Sequence, residues 1–281
     1  MLEVNTSNQN KPGQAAERAS RSSFYNGMRI LPRAQRDAMF EIYAFCRAVD
    51  DIADDPGPRE QRSAALERWR NDIAALYGGL AQPHLLGLAE AIRDFDLAHG
   101  DFLAVIAGME MDVGSDIRAP DLATLDLYCD RVACAVGRLS VRVFGLDRDQ
   151  GLALAHHLGR ALQLTNILRD LDEDAALGRL YLPREALRDA GIIETEPTAV
   201  LANPMLGEAC KAIAERAAAE FEQAAAIMAQ SPRRAVRAPR IMAEAYRLIL
   251  DRLVARGFAP PRPPVHLPRT KILLIALRNY F

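Results

Sequence analysis

The sequence predicts an all-α protein, for two reasons. Apolar residues recur at three- and four-residue steps in one long segment after another, as on the buried face of a helix; Met39, Ile42 and Val49 form such a stripe in residues 33–55. Proline and glycine fall between these segments, as in Pro56-Gly57-Pro58, and such residues end helices. Half of the 281 residues are hydrophobic, so a large core can form.

The predicted elements follow one another with short breaks. Residues 1–20 are polar and predict a disordered tail, and residues 21–281 predict a single helical domain. A short helix ends at Leu31-Pro32, and residues 191–204 predict a loop. The remaining segments with helical patterns are 33–55, 60–77, 85–98, 102–117, 122–144, 163–174, 184–190, 205–230, 234–256 and 270–281.

Residues 163–174 carry the strongest chemical signal. Their polar members Gln163, Asn166, Asp170 and Asp174 recur at three- and four-residue steps, so they predict a polar stripe along one helix. The stripe ends in two carboxylates one helical turn apart, and like charges at that spacing repel each other. A positive group is therefore expected between them.

A second acidic pair lies upstream. Asp50 and Asp54 again stand four positions apart, with Arg47 three residues before Asp50. If the two helices bring the pairs together, they form a cup of carboxylates, and such hard oxygen donors suit Mg²⁺ held together with substrate phosphates. Arg47 has two readings: an ion pair with Asp50, or a ligand for a diphosphate beside the metal.

The motifs Asp50-Asp-Ile-Ala-Asp54 and Gln163-Leu-Thr-Asn-Ile-Leu-Arg-Asp-Leu-Asp-Glu-Asp174 resemble the two aspartate-rich motifs of the squalene/phytoene synthase family. The likeness runs from about Ser22 to the last helix. It implies an isoprenoid synthase fold, a helical bundle around a central apolar cavity. Residues 23–32 and 43–47 are most similar to the bacterial members that make presqualene diphosphate in the hopanoid route.

The resemblance implies a reaction and a set of site residues. Two farnesyl diphosphates would condense head to head, with Mg²⁺, to presqualene diphosphate and pyrophosphate, which enzymes of squalene formation would use next. The implied metal ligands are Asp50, Asp54, Asn166, Asp170 and Asp174, with Tyr43 and Tyr128 as further catalytic residues. The implied substrate-binding residues are Ser23, Phe24, Arg47, Gln163, Asn166, Arg169, Arg179, Tyr181 and Tyr246, of which Arg179 and Tyr181 belong to a flap over the site.

Several of these residues have a plain structural alternative. Ser23 can cap a helix, and Tyr246 can be a core aromatic. Asp112 can reach the site or remain a solvated carboxylate. The small residues of segment 122–144 can serve close helix packing or leave room for a long polyprenyl chain; they include Ala133, Ala135 and Gly137.

Rival functions are a phytoene synthase with two geranylgeranyl diphosphates, a full squalene synthase, and a helical scaffold without catalysis. The net charge of −2 provides no general attraction to nucleic acid. No CxxC spacing occurs among the four cysteines, and no apolar run is long enough to span a bilayer. A cytoplasmic enzyme is expected, with the basic, apolar segment 270–281 either packed on the domain or touching a membrane surface.

Overall fold

A computed structural model describes residue 28, residues 31–114 and residues 117–280. The all-α prediction is confirmed, and the only β-type pairing in these ranges is an isolated bridge between Arg118 and Leu180. The helices are α1 (Arg33–Ala53), α2 (Arg59–Tyr77), α3 (Leu86–Phe95), α4 (His99–Gly114), α5 (Leu122–Cys129), α6 (Ala135–Phe144), α7 (Arg148–Arg169), α8 (Leu171–Ala176), α9 (Arg184–Asp189), α10 (Pro197–Ala202), α11 (Leu206–Gln230), α12 (Arg237–Arg256) and α13 (Arg269–Tyr280).

Helix α7 lies at the centre of the bundle and packs against α6, α11 and α12. Its start is capped by Asp147, whose side chain accepts a hydrogen bond from the backbone N–H of Asp149 at 3.0 Å. Leu154, Leu164 and Leu168 are buried on it, as the apolar stripe predicts. Side chains on α7 therefore face several neighbouring helices at once, which suits it to hold a site.

Glycines let α6 and α7 approach closely. A Cβ on Gly159 would lie 2.8 Å from Cα of Cys134, and a Cβ on Gly137 would lie 3.1 Å from Cβ of Ala155. Contacts that short leave no room for a side chain. Close packing, one of the two readings of the small residues in segment 122–144, is present in the structure.

The predicted helix 122–144 is not uniform. A π-helical turn, Asp130–Cys134, joins α5 to α6. Gly108 of α4 crosses this turn, and a Cβ there would lie 2.5 Å from Cγ1 of Val132. The α-helical periodicity of the sequence does not reveal the turn, because small and apolar residues such as Val132, Ala133 and Ala135 follow one another there without a clear periodic pattern.

Two other segments differ from the prediction. Residues 163–174 do not form one helix, because Asp170 adopts φ −100° and ψ 16° between α7 and α8. Hydrogen bonds from the N–H of Asp170 to Asn166 O and from the N–H of Asp174 to Asp170 O nevertheless keep the helical spacing. Residues 191–204 are not all loop, since α10 forms there with Pro197 in its first turn.

Helix α13 packs on α12 through the buried Ile272 and Ile275, as the packing alternative predicts. Among the described residues, no helix combines the length and the apolar character that crossing a membrane requires. All four cysteines are free, and Cys129, Cys134 and Cys210 are buried.

Candidate active site

Two acidic segments that are distant in sequence meet across one polar cavity. Asp50 lies near the end of α1 and Asp54 just beyond it. Asp170 lies between α7 and α8, and Asp174 lies within α8. All four side chains line a cavity of about 450 Å³. The fold thus brings together the two carboxylate pairs that the sequence places 120 positions apart (170 − 50).

Two residues of the segment 178–183, Arg179 and Tyr181, line this cavity. The backbone of this segment is fixed by two hydrogen bonds, from Leu180 N–H to Ile117 O at 2.7 Å and from Ala119 N–H to Leu180 O at 2.9 Å. Arg179 donates to Asp54 Oδ1 at 2.7 Å and to the carbonyl of Ala53 at 2.9 Å. The segment therefore connects the second acidic motif to the end of α1, in the position expected of a flap.

Asp112 is a site residue that the sequence left undecided. The hydroxyl of Tyr181 donates to its Oδ1 at 2.7 Å, and the hydroxyl of Tyr128 donates to its Oδ2 at 3.1 Å. The two tyrosine rings stack with their centroids 4.8 Å apart. Burial, and next the charge of Asp112, raise the pKa of both hydroxyls, so they remain protonated donors.

The cavity concentrates negative charge. Burial raises the pKa of Asp174 to about 7, and Asp170, Asp112 and Asp54 add to this effect while Arg179 opposes it. Burial also raises the pKa of Asp50 and of Asp112, each to about 6. Burial, with a smaller contribution from neighbouring carboxylates, thus disfavours the charged forms of these groups, which an added positive group would favour.

Besides Arg179, two arginines pair with carboxylates of the polar cavity. Arg47 donates to Asp50 at 2.5 Å and to Asp51 at 2.6 Å, so the ion-pair reading of Arg47 is present in the structure. Arg169 makes two bonds to Asp170, at 2.7 and 2.6 Å. Burial lowers the pKa of Arg169, but its bonds to Asp170 and Tyr246 outweigh that and keep it charged.

The donor set fits a hard divalent cation, although the ligands are not yet gathered around one point. Within the described ranges, no three His, Cys, Asp or Glu side chains already form a metal-binding group. The oxygen Oδ1 of Asn166, however, is buried and has no hydrogen-bond partner among the residues that the structure describes. An amide oxygen without a partner, next to carboxylates with raised pKa values, is a combination that an oxygen-preferring cation satisfies.

An apolar cavity of about 260 Å³ continues from the polar one. The two cavities share Cys46, Val132, Val136, Gln163 and Asn166 at their junction. Beyond the junction, the apolar cavity runs between α6 and α7. Its one hydroxyl on α6, that of Ser140, is satisfied by the carbonyl of Val136 at 2.7 Å.

The structure places the predicted site residues as follows. Tyr43 and Tyr246 line the apolar cavity. Ser23 and Phe24 lie outside the described residues. The remaining predicted residues line the polar cavity: Arg47, Asp50, Asp54, Tyr128, Gln163, Asn166, Arg169, Asp170, Asp174, Arg179 and Tyr181.

The sequence is similar to proteins of known family. Residues 17–271 match the squalene/phytoene synthase family. The chain is 60% identical over 257 residues to a presqualene diphosphate synthase of Rhodopseudomonas palustris, covering 92% of each chain. It is 61% identical over 246 residues to a presqualene diphosphate synthase of Sinorhizobium fredii, covering 88% of each chain.

The fold is also similar to solved structures. The squalene synthase HpnC from Alicyclobacillus acidocaldarius superposes with a TM-score of 0.78 at 28% identity, over 88% of this chain and 94% of that one. A dehydrosqualene synthase superposes with a TM-score of 0.81, over 95% of this chain and 94% of that one. At 23% identity, that second likeness concerns the fold alone.

Proposed function

The chain belongs to the squalene/phytoene synthase family and is a prenyltransferase, and we propose that it joins two molecules of farnesyl diphosphate into presqualene diphosphate. One substrate loses pyrophosphate, its C1 bonds to the C2–C3 double bond of the other, and loss of a proton closes a cyclopropane ring. The products are a C30 diphosphate, pyrophosphate and a proton. The observation that carries the proposal is the direct junction of a polar and an apolar cavity at Gln163 and Asn166.

The polar cavity receives the diphosphates. We infer that Mg²⁺, held by Asp50, Asp54, Asn166, Asp170 and Asp174, supplies the positive charge that stabilises the leaving pyrophosphate. The guanidinium groups of Arg47, Arg169 and Arg179 already lie at the carboxylates of this cavity. In the complex they bind phosphate oxygens, because planar guanidinium groups make paired hydrogen bonds to phosphate.

The protein also protects the carbocation from water. The apolar cavity encloses the prenyl chain, and two residues of the segment 178–183 line the polar cavity. Burial raises the pKa of Tyr43, Tyr128 and Tyr181, so these hydroxyls stay protonated and are poor bases for the final proton. We therefore assign the proton to an oxygen of the released pyrophosphate.

The test uses the purified full-length chain with Mg²⁺ and farnesyl diphosphate, without NADPH, followed by mass analysis. A C30 diphosphate is the expected product. Formation of a C40 hydrocarbon from geranylgeranyl diphosphate, with no product from farnesyl diphosphate, would assign the chain to the phytoene synthases. Several relatives at 34–36% identity carry that name. No product from either substrate would favour a scaffold. Mn²⁺ can replace Mg²⁺ as a probe whose binding is measured by electron paramagnetic resonance. Asp170→Asn should bind Mn²⁺ more weakly than the wild type.

We further propose that residues 21–281 form one cytoplasmic catalytic domain that touches the membrane through α13. Leu273, Leu274 and Leu277 lie on its outer side and are 60%, 61% and 50% exposed. Lys271 and Arg278 flank them, so anionic lipid would favour the contact. Replacing the three leucines by serine should reduce co-sedimentation with phosphatidylglycerol vesicles and leave turnover of detergent-dispersed substrate unchanged.

A further inference from the structure

The apolar cavity extends away from the polar cavity, and its length can be followed separately along each of two chain segments that line it. On α7 it runs from Asn166, at the junction with the polar cavity, to Leu154. On the π-turn and α6 it runs from Val132, at the same junction, to Phe144. Each path covers twelve positions, about 18 Å along a helix. The end near Phe144 and Leu154 is therefore the floor, farthest from the diphosphate site.

A second, smaller crevice lies behind this floor. It has a volume of about 90 Å³ and is lined by Gly151, Leu146, Arg138 and Asp101, among others. Of the residues that the structure describes, only Val141 of α6 lines both the apolar cavity and this crevice. A Cβ on Gly151 would lie 3.1 Å from Cγ2 of Val141, so the valine side chain rests directly on the glycine backbone.

We propose that Val141 is the residue that limits the length of the prenyl chain, an inference that rests on the proposed function of the site. Its side chain is 7% exposed and separates the apolar cavity from the space over Gly151. The ω-end of a farnesyl chain would contact it. A geranylgeranyl chain needs room for one more isoprene unit, and Val141 occupies the path to that room.

The volumes agree with this assignment. A cavity of about 150 Å³ accommodates benzene, which is close in size to an isoprene unit. The crevice of about 90 Å³ is too small alone, and the space vacated by the two valine methyl groups adds to it. Two of the charged side chains in the crevice are already paired, since Arg138 bonds to Asp101 at 2.6 Å and also to Asp130 at 3.0 Å. An apolar tail entering there would leave these pairs intact.

The test compares Val141→Ala with Val143→Ala. Val143 lies on the same helix, is fully buried and lines neither cavity, so the matched variant loses the same atoms without opening the floor. For Val141→Ala, the ratio of kcat/KM for geranylgeranyl diphosphate to that for farnesyl diphosphate should rise about tenfold or more over the wild type. For Val143→Ala the ratio should remain within about twofold.

The reverse change, Val141→Leu, should raise the floor. It should lower kcat/KM for farnesyl diphosphate by about tenfold and spare the shorter geranyl diphosphate. An unchanged preference in both Val141 variants, or an equal change in Val143→Ala, would overturn the assignment.

A binding measurement separates this proposal from the proposed function. Calorimetry with the unreactive S-thiolodiphosphate analogues of the C15 and C20 substrates measures the affinity for each chain length, and it needs no turnover. A wild type that binds both analogues and makes no C30 diphosphate would contradict the proposed function. A Val141→Ala protein that binds the two analogues in the wild-type ratio would contradict the floor.

Discussion

The polar and apolar cavities adjoin and share residues of α1 and α7, yet they differ in whether their polar side chains have hydrogen-bonding partners. In the apolar cavity the hydroxyl of Ser140 is bonded to its own helix. In the polar cavity Asp50, Asp112 and Asp174 have raised pKa values, and the amide oxygen of Asn166 has no partner in the described part of the chain. The carboxylates of the polar cavity would therefore be stabilised in their charged form by an added cation, whereas Ser140 needs no partner beyond its own helix.

The strongest way to break the polar region is to remove one carboxylate from either acidic motif. Asp50→Ala and Asp170→Ala should each lower turnover by at least about a hundredfold, because the leaving pyrophosphate loses part of its charge stabilisation. Product formation measured by mass spectrometry tests this, with circular dichroism to show intact helices.

Asp55→Ala is the matched control, since Asp55 is exposed, directly follows Asp54 and does not line the cavity. Its turnover should stay within severalfold of the wild type. Near-normal turnover in both Asp50→Ala and Asp170→Ala would contradict the assignment of the metal site.

A smaller effect is expected where the flap contacts the polar region. Arg179→Ala removes the bonds to Asp54 and Ala53, and should lower kcat/KM by about ten- to a hundredfold. Amide hydrogen exchange should also become faster in residues 178–183. Arg188→Ala, on an exposed arginine of α9, should change neither quantity; equal exchange in both variants would show that Arg179 does not fix the flap.

In the apolar region, the expected effect is on the stability of the fold, and it comes from helix packing and not from charge. Gly159→Ala places a Cβ 2.8 Å from Cα of Cys134 and should lower the free energy of unfolding by about 1–3 kcal/mol. Gly207→Ala on α11 meets no atom within 4 Å and should raise the same quantity by up to about 1 kcal/mol. Urea denaturation compares the two, and the same sign for both would refute the close-packing account of α6 and α7.

The smallest effect concerns the pH dependence of stability. The pKa of Asp112 in the folded protein is about 6, above its ordinary value of 3.8, so the folded state binds more protons than the unfolded state between these values. The stability that protonated Asp112 contributes is present below pH 4 and is lost as the pH rises through about 6.

Asp112→Asn should therefore gain stability relative to the wild type between pH 4.5 and 7.5, by roughly 1–2 kcal/mol. The difference in free energy of unfolding at these two pH values measures it. Asp189→Asn, on an exposed carboxylate, should show no such change with pH. A pH-independent difference for Asp112→Asn would refute the raised pKa.

The sequence was enough to predict the acidic pairs, because residues four positions apart lie about one turn apart on any α-helix, whatever it packs against. It did not reveal the break at Asp170, since the hydrogen bonds to Asn166 O and from Asp174 N–H preserve the same spacing across it. Asp112 stayed undecided because its partners, Tyr128 and Tyr181, are 16 and 69 positions away and only the folded chain brings them together. The depth of the apolar cavity was equally hidden, as it depends on contacts between α6 and α7.

The π-helical turn Asp130–Cys134 sets the angular phase of everything that follows it on this chain segment. Upstream of the turn, Tyr128 lines the polar cavity, and downstream Val136 and Phe144 line the apolar cavity. One residue of helix corresponds to about 100° of rotation. Deleting a single residue within the turn would rotate the downstream side chains out of the apolar cavity together, so this stretch should not tolerate a change in length.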